Sequence, residues 1–170
     1  MNLYRNISSR SQLLVLLVIL IFGSLSCSRN KSPKVLINTQ MGDLLVEVYP
    51  DLAPVTANNF LDHVEKGTYT NSIFYRVVRM DNQPQNRVKI EVIQGGLFDD
   101  DLIEAQTPIV HETTEVSGIL HTHGVISMAR MGPGTASTEF FICIGDQPSL
   151  DFGGERNPDG QGFAAFGKVI

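Results

Sequence analysis

The chain is poor in three features that would each define a class of function. It has two cysteines, so at most one disulfide, Cys27–Cys143, could form in an oxidising compartment. Its 13 basic residues are outnumbered by 18 acidic ones, and nucleic-acid binding is not expected because phosphate contacts need clustered Lys and Arg. Its longest apolar run, residues 13–22, is shorter than the roughly 20 residues of a transmembrane helix. What remains is ordinary globular composition, with 42% apolar residues to build a core.

The short apolar run is typical of a signal peptide. Arg5 and Arg10 precede it, small residues follow, and Cys27 comes directly after them. This order resembles a bacterial lipoprotein signal, in which the cysteine becomes the lipidated first residue. We therefore expect a signal peptide over residues 1–26. Simple secretion and an uncleaved anchor are the alternatives, because Ser24 stands where such signals usually have a large apolar residue.

Each of these alternatives places the domain outside the cytoplasm. Residues 27–33 would form a polar tether that a lipid on Cys27 anchors to a bacterial membrane. In a cell with two membranes, the anchor would lie on the periplasmic side. A single domain then occupies residues 34–170. Because lipidation would consume Cys27, we expect Cys143, within the apolar run 140–144, to be a small buried core residue.

The domain contains many short strand patterns and one helical pattern. The helix is expected to start near Pro54 with Asp51 as its cap and to end near Gly67. Its apolar residues recur on one helical face: Ala57, Phe60, Leu61 and Val64. Strands are predicted at residues 35–38, 44–49, 73–79, 88–94, 125–130, 139–144 and 164–169, with a hairpin turn at 40–43. This pattern predicts a mainly β protein, an antiparallel barrel with a capping helix.

Two histidines in close succession, His121 and His123, raise the question of a metal site. Residues i and i+2 share one face of a strand, but two ligands alone rarely hold a metal ion firmly. His63 and His111 have no matching spacing, and the turn sequence at 157–160 lacks the alternating acids of a Ca²⁺ loop. We therefore predict no metal and no other cofactor.

Several motifs occur together in a fixed order. They are Met41-Gly42-Asp43, residues 53–60, Phe74-Tyr75-Arg76-Val77-Val78, Ile93-Gln94-Gly95-Gly96, residues 127–142 and Phe166-Gly167-Lys168-Val169. In this order they resemble the cyclophilin family of peptidyl-prolyl cis/trans isomerases, over residues 34–170.

The resemblance implies a closed antiparallel cyclophilin-like β-barrel. It also implies that His121 or His123 is structural, because the family often has a histidine just before this Ser-Met-Ala segment. In the family, the strand that here ends the chain at Ile170 leads on to a second helix and a last strand. We expect both to be missing from this domain.

Isomerising an X–Pro bond requires no nucleophile, proton transfer or metal. The amide must lose its resonance and twist through a barrier of about 18–20 kcal/mol. The prolyl nitrogen then gains a localised lone pair, which a cationic hydrogen-bond donor stabilises more than it stabilises either planar form. Arg76, which interrupts the apolar strand at 74–78, is the candidate catalyst. The strand pattern alone favours an ordinary solvent-facing arginine, and the surrounding motifs favour the catalyst.

The resemblance assigns further positions around Arg76. Gln94 matches the family glutamine that binds the substrate backbone and steadies the arginine. Phe141 matches the floor of the proline pocket, and Ala129 and Leu150 match two positions in its walls.

Three positions depart from the usual family residues. Glu139 stands where glutamine is commonest, and we expect it to hold the substrate backbone and to pair with Arg76 or Arg130. Phe163 takes the place of a pocket histidine or tyrosine. Ser149 replaces an aromatic residue associated with drug binding, so cyclosporin-type ligands are expected to bind weakly.

The largest departure is an insertion before Gln94. Residues 79–92 are longer than the corresponding family segment, polar and rich in turn-forming residues. Glu91 and Val92 stand where the family has a Phe-Met pair. A pocket wall is therefore either missing or rebuilt from Met80.

Two functions follow from these observations. The first is a peptidyl-prolyl isomerase that assists the folding of exported proteins, binding proline-containing unfolded or extended polypeptides as a monomer. The alternative is a non-catalytic or weakly catalytic proline-peptide binding module, which is favoured if the insertion removes the wall.

Overall fold

The computed structural model describes residues 31–170. The predicted signal peptide at residues 1–26, the lipidated Cys27 and the start of the tether lie outside this part of the chain. Within residues 31–170, no helix is both long enough and apolar enough to cross a bilayer.

Seven strands form one antiparallel sheet, in the order β1-β2-β7-β5-β6-β4-β3. They are β1 (Lys34–Thr39), β2 (Gly42–Val48), β3 (Ile73–Val78), β4 (Val92–Gly96), β5 (Val125–Met128), β6 (Phe140–Cys143) and β7 (Ala164–Val169). Side chains from all seven strands meet in or against one interior core, so the sheet must curl around that core. The prediction of a mainly β, antiparallel cyclophilin-like fold is confirmed. Within residues 31–170, β1 and β3 end the strand order and no ladder joins them.

The first two strands form the predicted hairpin. Thr39 pairs with Gly42 across a turn at Gln40 and Met41. Gly42 has a φ of 128°, a conformation that residues with a Cβ rarely adopt. The first motif of the family resemblance, Met41-Gly42-Asp43, is therefore explained by the backbone conformation that this turn requires.

The helix α1 (Pro54–Glu65) closes one side of this core. Ala57 and Phe60 are buried, and the Phe60 ring lies 4.9 Å from that of Phe166 and 5.7 Å from that of Phe140. The predicted apolar face of the helix is therefore its packing face, and Gly67, with a φ of 70°, follows the helix end as predicted.

The helix cap is not the predicted one. The N-cap residue is Ala53, which offers no side-chain hydrogen bond, and Asp51 does not cap the helix. Instead, the buried Glu112 accepts hydrogen bonds from the Val55 N–H at 3.1 Å and the Thr56 N–H at 2.7 Å. A carboxylate at a helix N-terminus satisfies unpaired N–H groups and interacts favourably with the helix dipole. The prediction that Asp51 caps the helix was wrong, because the carboxylate that binds these N–H groups comes from a segment far along the chain.

Alternate residues of β6 serve two separate cores. Phe140 and Ile142 face the interior core, whereas Phe141 and Cys143 belong to a second cluster on the opposite face. We call this the outer cluster; its buried members are Val78, Ile90, Val92, Phe141, Cys143 and Leu150. Cys143 is fully buried and free, as predicted, and burial raises the pKa of its thiol to about 12.

Sequence patterns missed three short helical elements. These are α2 (Asp100–Glu104), α3 (Thr114–Ser117) and a 3₁₀ turn at Pro148–Leu150. The Asp99 carboxylate caps α2 by accepting the Leu102 N–H at 3.0 Å. Helices of one turn leave too short an apolar period to be recognised from sequence.

The predicted strand at residues 88–94 was placed too early, because β4 begins at Val92. The preceding insertion folds around the buried Gln83. Its side-chain amide donates to the carbonyls of Arg79 and Ile90, each at 2.7 Å, and accepts the Ile90 N–H at 3.3 Å. These bonds satisfy backbone groups of Ile90 that a strand ladder would otherwise pair.

His121 is structural, as the resemblance implied. It is 1% exposed, its Nδ1 lies 2.7 Å from an Asp151 carboxylate oxygen and its Nε2 lies 2.9 Å from the Ser127 hydroxyl. His123 accepts the Gly145 N–H at 2.9 Å. The two histidines lie in the loop before β5, so the assumption that they share a strand face was wrong. Among residues 31–170, no cluster of three or more His, Cys, Asp or Glu side chains is placed to hold a metal ion.

Candidate active site

All seven side chains predicted for the site line a single cleft over the outer cluster. The cleft has a volume of about 410 Å³. The predicted residues on it are Arg76, Gln94, Ala129, Glu139, Phe141, Leu150 and Phe163. They come from the strands β3, β4 and β6, the loop between β5 and β6, the 3₁₀ turn at Pro148–Leu150 and the residue directly before β7. The curled sheet therefore brings together residues that are far apart in the sequence.

Arg76 and Gln94 are partners across neighbouring strands. They stand opposite each other in the β3–β4 register, and an Arg76 Nη donates to the Gln94 side-chain oxygen at 3.2 Å. Arg76 is exposed, and no ion pair in the described part of the chain uses its guanidinium group. Its charge is thus free to act on a molecule bound in the cleft.

A hydrogen-bond chain continues from Gln94 through Tyr75 to Glu139. The Gln94 amide donates to the Tyr75 hydroxyl at 2.6 Å, and this hydroxyl donates to Glu139 Oε2 at 2.6 Å. Glu139 Oε1 accepts the Leu97 N–H at 2.7 Å. Burial, followed by the hydrogen bond to Glu139, raises the pKa of Tyr75 well above its usual value, so the hydroxyl keeps its proton.

The predicted pairing of Glu139 with Arg76 or Arg130 was wrong. Both carboxylate oxygens are occupied by Tyr75 and Leu97. Gly96 makes this possible, because any Cβ at that position would collide with the Glu139 carboxylate.

Arg130 has a different carboxylate partner, Asp159. Two of its nitrogens bind the Asp159 carboxylate at 2.8 and 2.9 Å, and two bind the Gly162 carbonyl at 2.9 and 2.6 Å. The hydrogen bond from Arg130 lowers the pKa of Asp159 to about 2. The guanidinium carbon lies 5.2 Å from the centre of the Phe163 ring, so this network fixes one wall of the cleft.

The floor of the cleft is apolar and well packed. Phe141 is 4% exposed and Leu150 is fully buried. The Phe163 ring meets Phe141 edge to face, with centres 5.2 Å apart and planes at 88°. A flat apolar ring can therefore rest on Phe141 beside the Arg76 guanidinium.

The insertion contributes to the wall, but not through Met80. Met80 is 46% exposed and does not line the cleft. Ile90 and Val92 occupy this wall, and both are buried in the outer cluster. The hydrogen bonds of Gln83 hold Ile90 in place, so a wall exists where the sequence suggested it could be missing.

The polar residues of the cleft that were not predicted include Tyr75 and Arg156. Arg156 donates to the Val88 carbonyl at 2.5 Å, and burial together with the charge of Arg76 lowers its pKa. Tyr75 could have been suspected from its position between Phe74 and Arg76. No local signal marked Arg156, since it reaches the cleft from a distant loop.

A larger cavity lies elsewhere, between the edges of β1 and β3. Its volume is about 970 Å³, and its lining is mostly apolar, including Val35, Ile37, Phe60 and Phe74. None of the seven predicted site residues and no basic side chain lies on it. It therefore lacks the cation that stabilisation of a twisted amide requires.

Comparison with known proteins agrees with this geometry. Residues 34–170 match the family described as cyclophilin type peptidyl-prolyl cis-trans isomerase/CLD. Peptidyl-prolyl cis-trans isomerase B of Escherichia coli (strain K12) is 35% identical over 136 residues, covering 78% of this chain and 75% of that protein. A peptidyl-prolyl cis-trans isomerase of Acinetobacter baylyi is 32% identical over 158 residues, covering 90% and 76%.

Solved structures give the same result. A cyclophilin type peptidyl-prolyl cis-trans isomerase of Cryptosporidium parvum has a TM-score of 0.60 and 26% identity, covering 82% of this chain and 78% of that one. Its structure in the presence of the dipeptide Ala-Pro has a TM-score of 0.59 and 25% identity, covering 81% and 78%. The chain belongs to the cyclophilin-type peptidyl-prolyl cis-trans isomerase family.

Proposed function

We propose that this protein catalyses cis/trans isomerisation of X–Pro bonds in unfolded or extended polypeptides. One observation carries the proposal: the Arg76 guanidinium, free of carboxylate partners in the described residues, stands beside an apolar floor formed by Phe141. This combination matches the needs of the reaction, which are a grip on the proline ring and a cation at its nitrogen. Sequence relatives named as isomerases and a structural relative solved with Ala-Pro support the same substrate class.

In this mechanism, the proline ring rests on Phe141 and is flanked by Leu150 and Phe163. Ala129 leaves room for the ring at the wall, because its side chain is a single methyl group. As the amide twists, the prolyl nitrogen gains a localised lone pair, to which Arg76 donates a hydrogen bond. Since this bond is stronger in the twisted form than in either planar form, it lowers the barrier.

The structure weighs against the alternative of a weakly catalytic binding module. That alternative would be favoured by an insertion that removes a pocket wall. Ile90 and Val92 form a wall there, and the hydrogen bonds of Gln83 fix it. Arg76 and Gln94 also lie within hydrogen-bonding distance, which a pure binding groove does not need.

The test is an isomerisation assay on proline peptides with Arg76→Ala. Losing a charge-assisted hydrogen bond of about 1.5–3 kcal/mol predicts a fall in kcat/KM of roughly 10- to 100-fold. Arg76→Lys should recover little, because an ammonium group does not reproduce the planar guanidinium. Arg79→Ala is the matched control, since Arg79 is exposed, pairs with Asp81 and is not on the cleft. Wild-type turnover by Arg76→Ala would overturn the assignment and leave the binding module.

We further propose that the domain acts outside the cytoplasm on exported proteins, as a monomer anchored by a lipid at Cys27. The support is the sequence pattern of residues 1–27. Cys27→Ser should move the full-length protein from the membrane to the soluble extracytoplasmic fraction. A wild-type protein that is already soluble after cleavage would instead indicate an ordinary secretory signal.

A further inference from the structure

Beyond Arg76 and Gln94, and resting on the function proposed above, we infer that Tyr75 is a positioning residue for the reaction. It acts through the orientation of the Gln94 amide, which in turn holds Arg76. Three hydrogen bonds carry this inference, from Arg76 to Gln94 at 3.2 Å, from Gln94 to Tyr75 at 2.6 Å and from Tyr75 to Glu139 at 2.6 Å.

The carboxylate at the end of the chain sets the direction of every bond in it. An ionised carboxylate only accepts hydrogen bonds. The Tyr75 hydroxyl must therefore donate to Glu139, and its oxygen is left to accept the Gln94 N–H. The Gln94 oxygen then points toward Arg76, whose guanidinium can only donate. A flipped Gln94 amide would bring its NH₂ group against the guanidinium N–H groups, donor against donor.

Local backbone geometry holds Tyr75 in this position. The β3–β4 register shifts between Phe74 and Arg76, so Tyr75 is the extra residue of a bulge. Its ring packs on Phe98, with centres 4.6 Å apart and planes at 31°. The ring contact does not involve the hydroxyl, so Tyr75→Phe should remove the hydrogen bonds and leave the packing.

The first test is isomerisation by the full-length protein carrying Tyr75→Phe. We expect kcat/KM to fall about 3- to 10-fold, as for the loss of one net hydrogen bond. The dissociation constant of a proline peptide should stay unchanged, because Arg76 contributes mainly in the twisted state. Tyr49→Phe is the matched control, since that hydroxyl also bonds a carboxylate, Glu47, at 3.4 Å and lies off the cleft.

Two further variants separate positioning from a general structural role. Tyr75→Phe should have no additional effect in a Gln94→Ala background, because Tyr75 acts through that amide. Glu139→Gln should lower kcat/KM as Tyr75→Phe does, because its amide nitrogen no longer forces the Tyr75 hydroxyl to donate. Multiplicative losses in the double variant, or unchanged kcat/KM in Tyr75→Phe, would overturn the inference.

Nuclear magnetic resonance keeps this inference distinguishable from the proposed function. The side-chain ¹H–¹⁵N signals of Gln94 should shift in Tyr75→Phe and stay in place in Tyr49→Phe. If the wild-type protein has no isomerase activity, the proposed function fails, and the Gln94 signals still decide the hydrogen-bond chain. If the Gln94 signals do not shift in Tyr75→Phe, the positioning role of Tyr75 is contradicted, whether or not the wild-type protein is active.

Discussion

The two faces of β6 differ in what surrounds them. On the inner face, Phe140 packs against the aromatic rings of Phe60, Tyr69 and Phe74, with ring centres 5.6 to 5.9 Å away, and borders the larger cavity, which carries no basic side chain. On the outer face, Phe141 is just as buried, but it forms the floor of an open cleft. One strand thus supports the fold with one set of side chains and presents a substrate surface with the alternate set. The period of a β-strand makes this division possible.

The strongest test of this comparison replaces each phenylalanine in turn. Phe140→Ala should lower the free energy of unfolding by about 3–5 kcal/mol, because it removes three aromatic contacts of the interior core and leaves their space unfilled. Phe141→Ala should cost less stability, because the Phe141 ring packs against two rings, those of His121 and Phe163, rather than three, but it should cause the larger loss of kcat/KM. Urea unfolding and peptide isomerisation on both variants give the measurement. A reversed order in either quantity would contradict the division between the two faces.

A second test affects the inner core without touching the cleft. Glu112→Ala removes the acceptor for the N–H groups of Val55 and Thr56 at the start of α1. Leaving buried donors unsatisfied should lower the free energy of unfolding by about 1–3 kcal/mol, with kcat/KM unchanged where the protein is folded. Glu115→Ala is the control, because Glu115 is exposed on the neighbouring α3. Equal stability of the two variants would show that the Glu112 carboxylate does not stabilise the start of α1.

The comparison of the two faces also explains what sequence could predict. The inner face follows local periodicity in α1, where the apolar spacing identified the residues that pack against the interior core. The seven residues predicted for the cleft also came together, because their motifs fix strand register and turns.

What failed depended on contacts between distant segments. The local sequence favoured Asp51 as the helix cap. Instead, the cap is Glu112, which lies 56 residues from Thr56 in the sequence. Glu139 was expected to pair with an arginine. No local pattern indicated that Tyr75 and Leu97 would donate hydrogen bonds to its two carboxylate oxygens. The wall formed by Ile90 depends on the hydrogen bonds of Gln83, which polar composition alone could not reveal.

The smallest expected effect concerns the rim of the cleft, where Arg130 and Asp159 hold the Phe163 wall. The pKa of Asp159 is lowered to about 2 in the folded protein, against an ordinary value of 3.8. A lowered folded-state pKa stabilises the fold above the unfolded-state pKa, and this contribution is lost as the pH falls through the folded-state value. The stability difference between wild type and Asp159→Asn should therefore be complete above about pH 5 and fade toward about pH 2.

Because Asp159 is partly exposed, solvent screening should keep this difference below about 1 kcal/mol at neutral pH. Chemical denaturation of both proteins across this pH range measures it, with Asp81→Asn as the matched control because Asp81 also pairs with an arginine, Arg79, off the cleft. A difference that grows as the pH falls would show that the Arg130 pair does not stabilise the fold through the Asp159 charge. If the prediction holds, the rim adds little to stability, and its role is to keep Phe163 in place over Phe141.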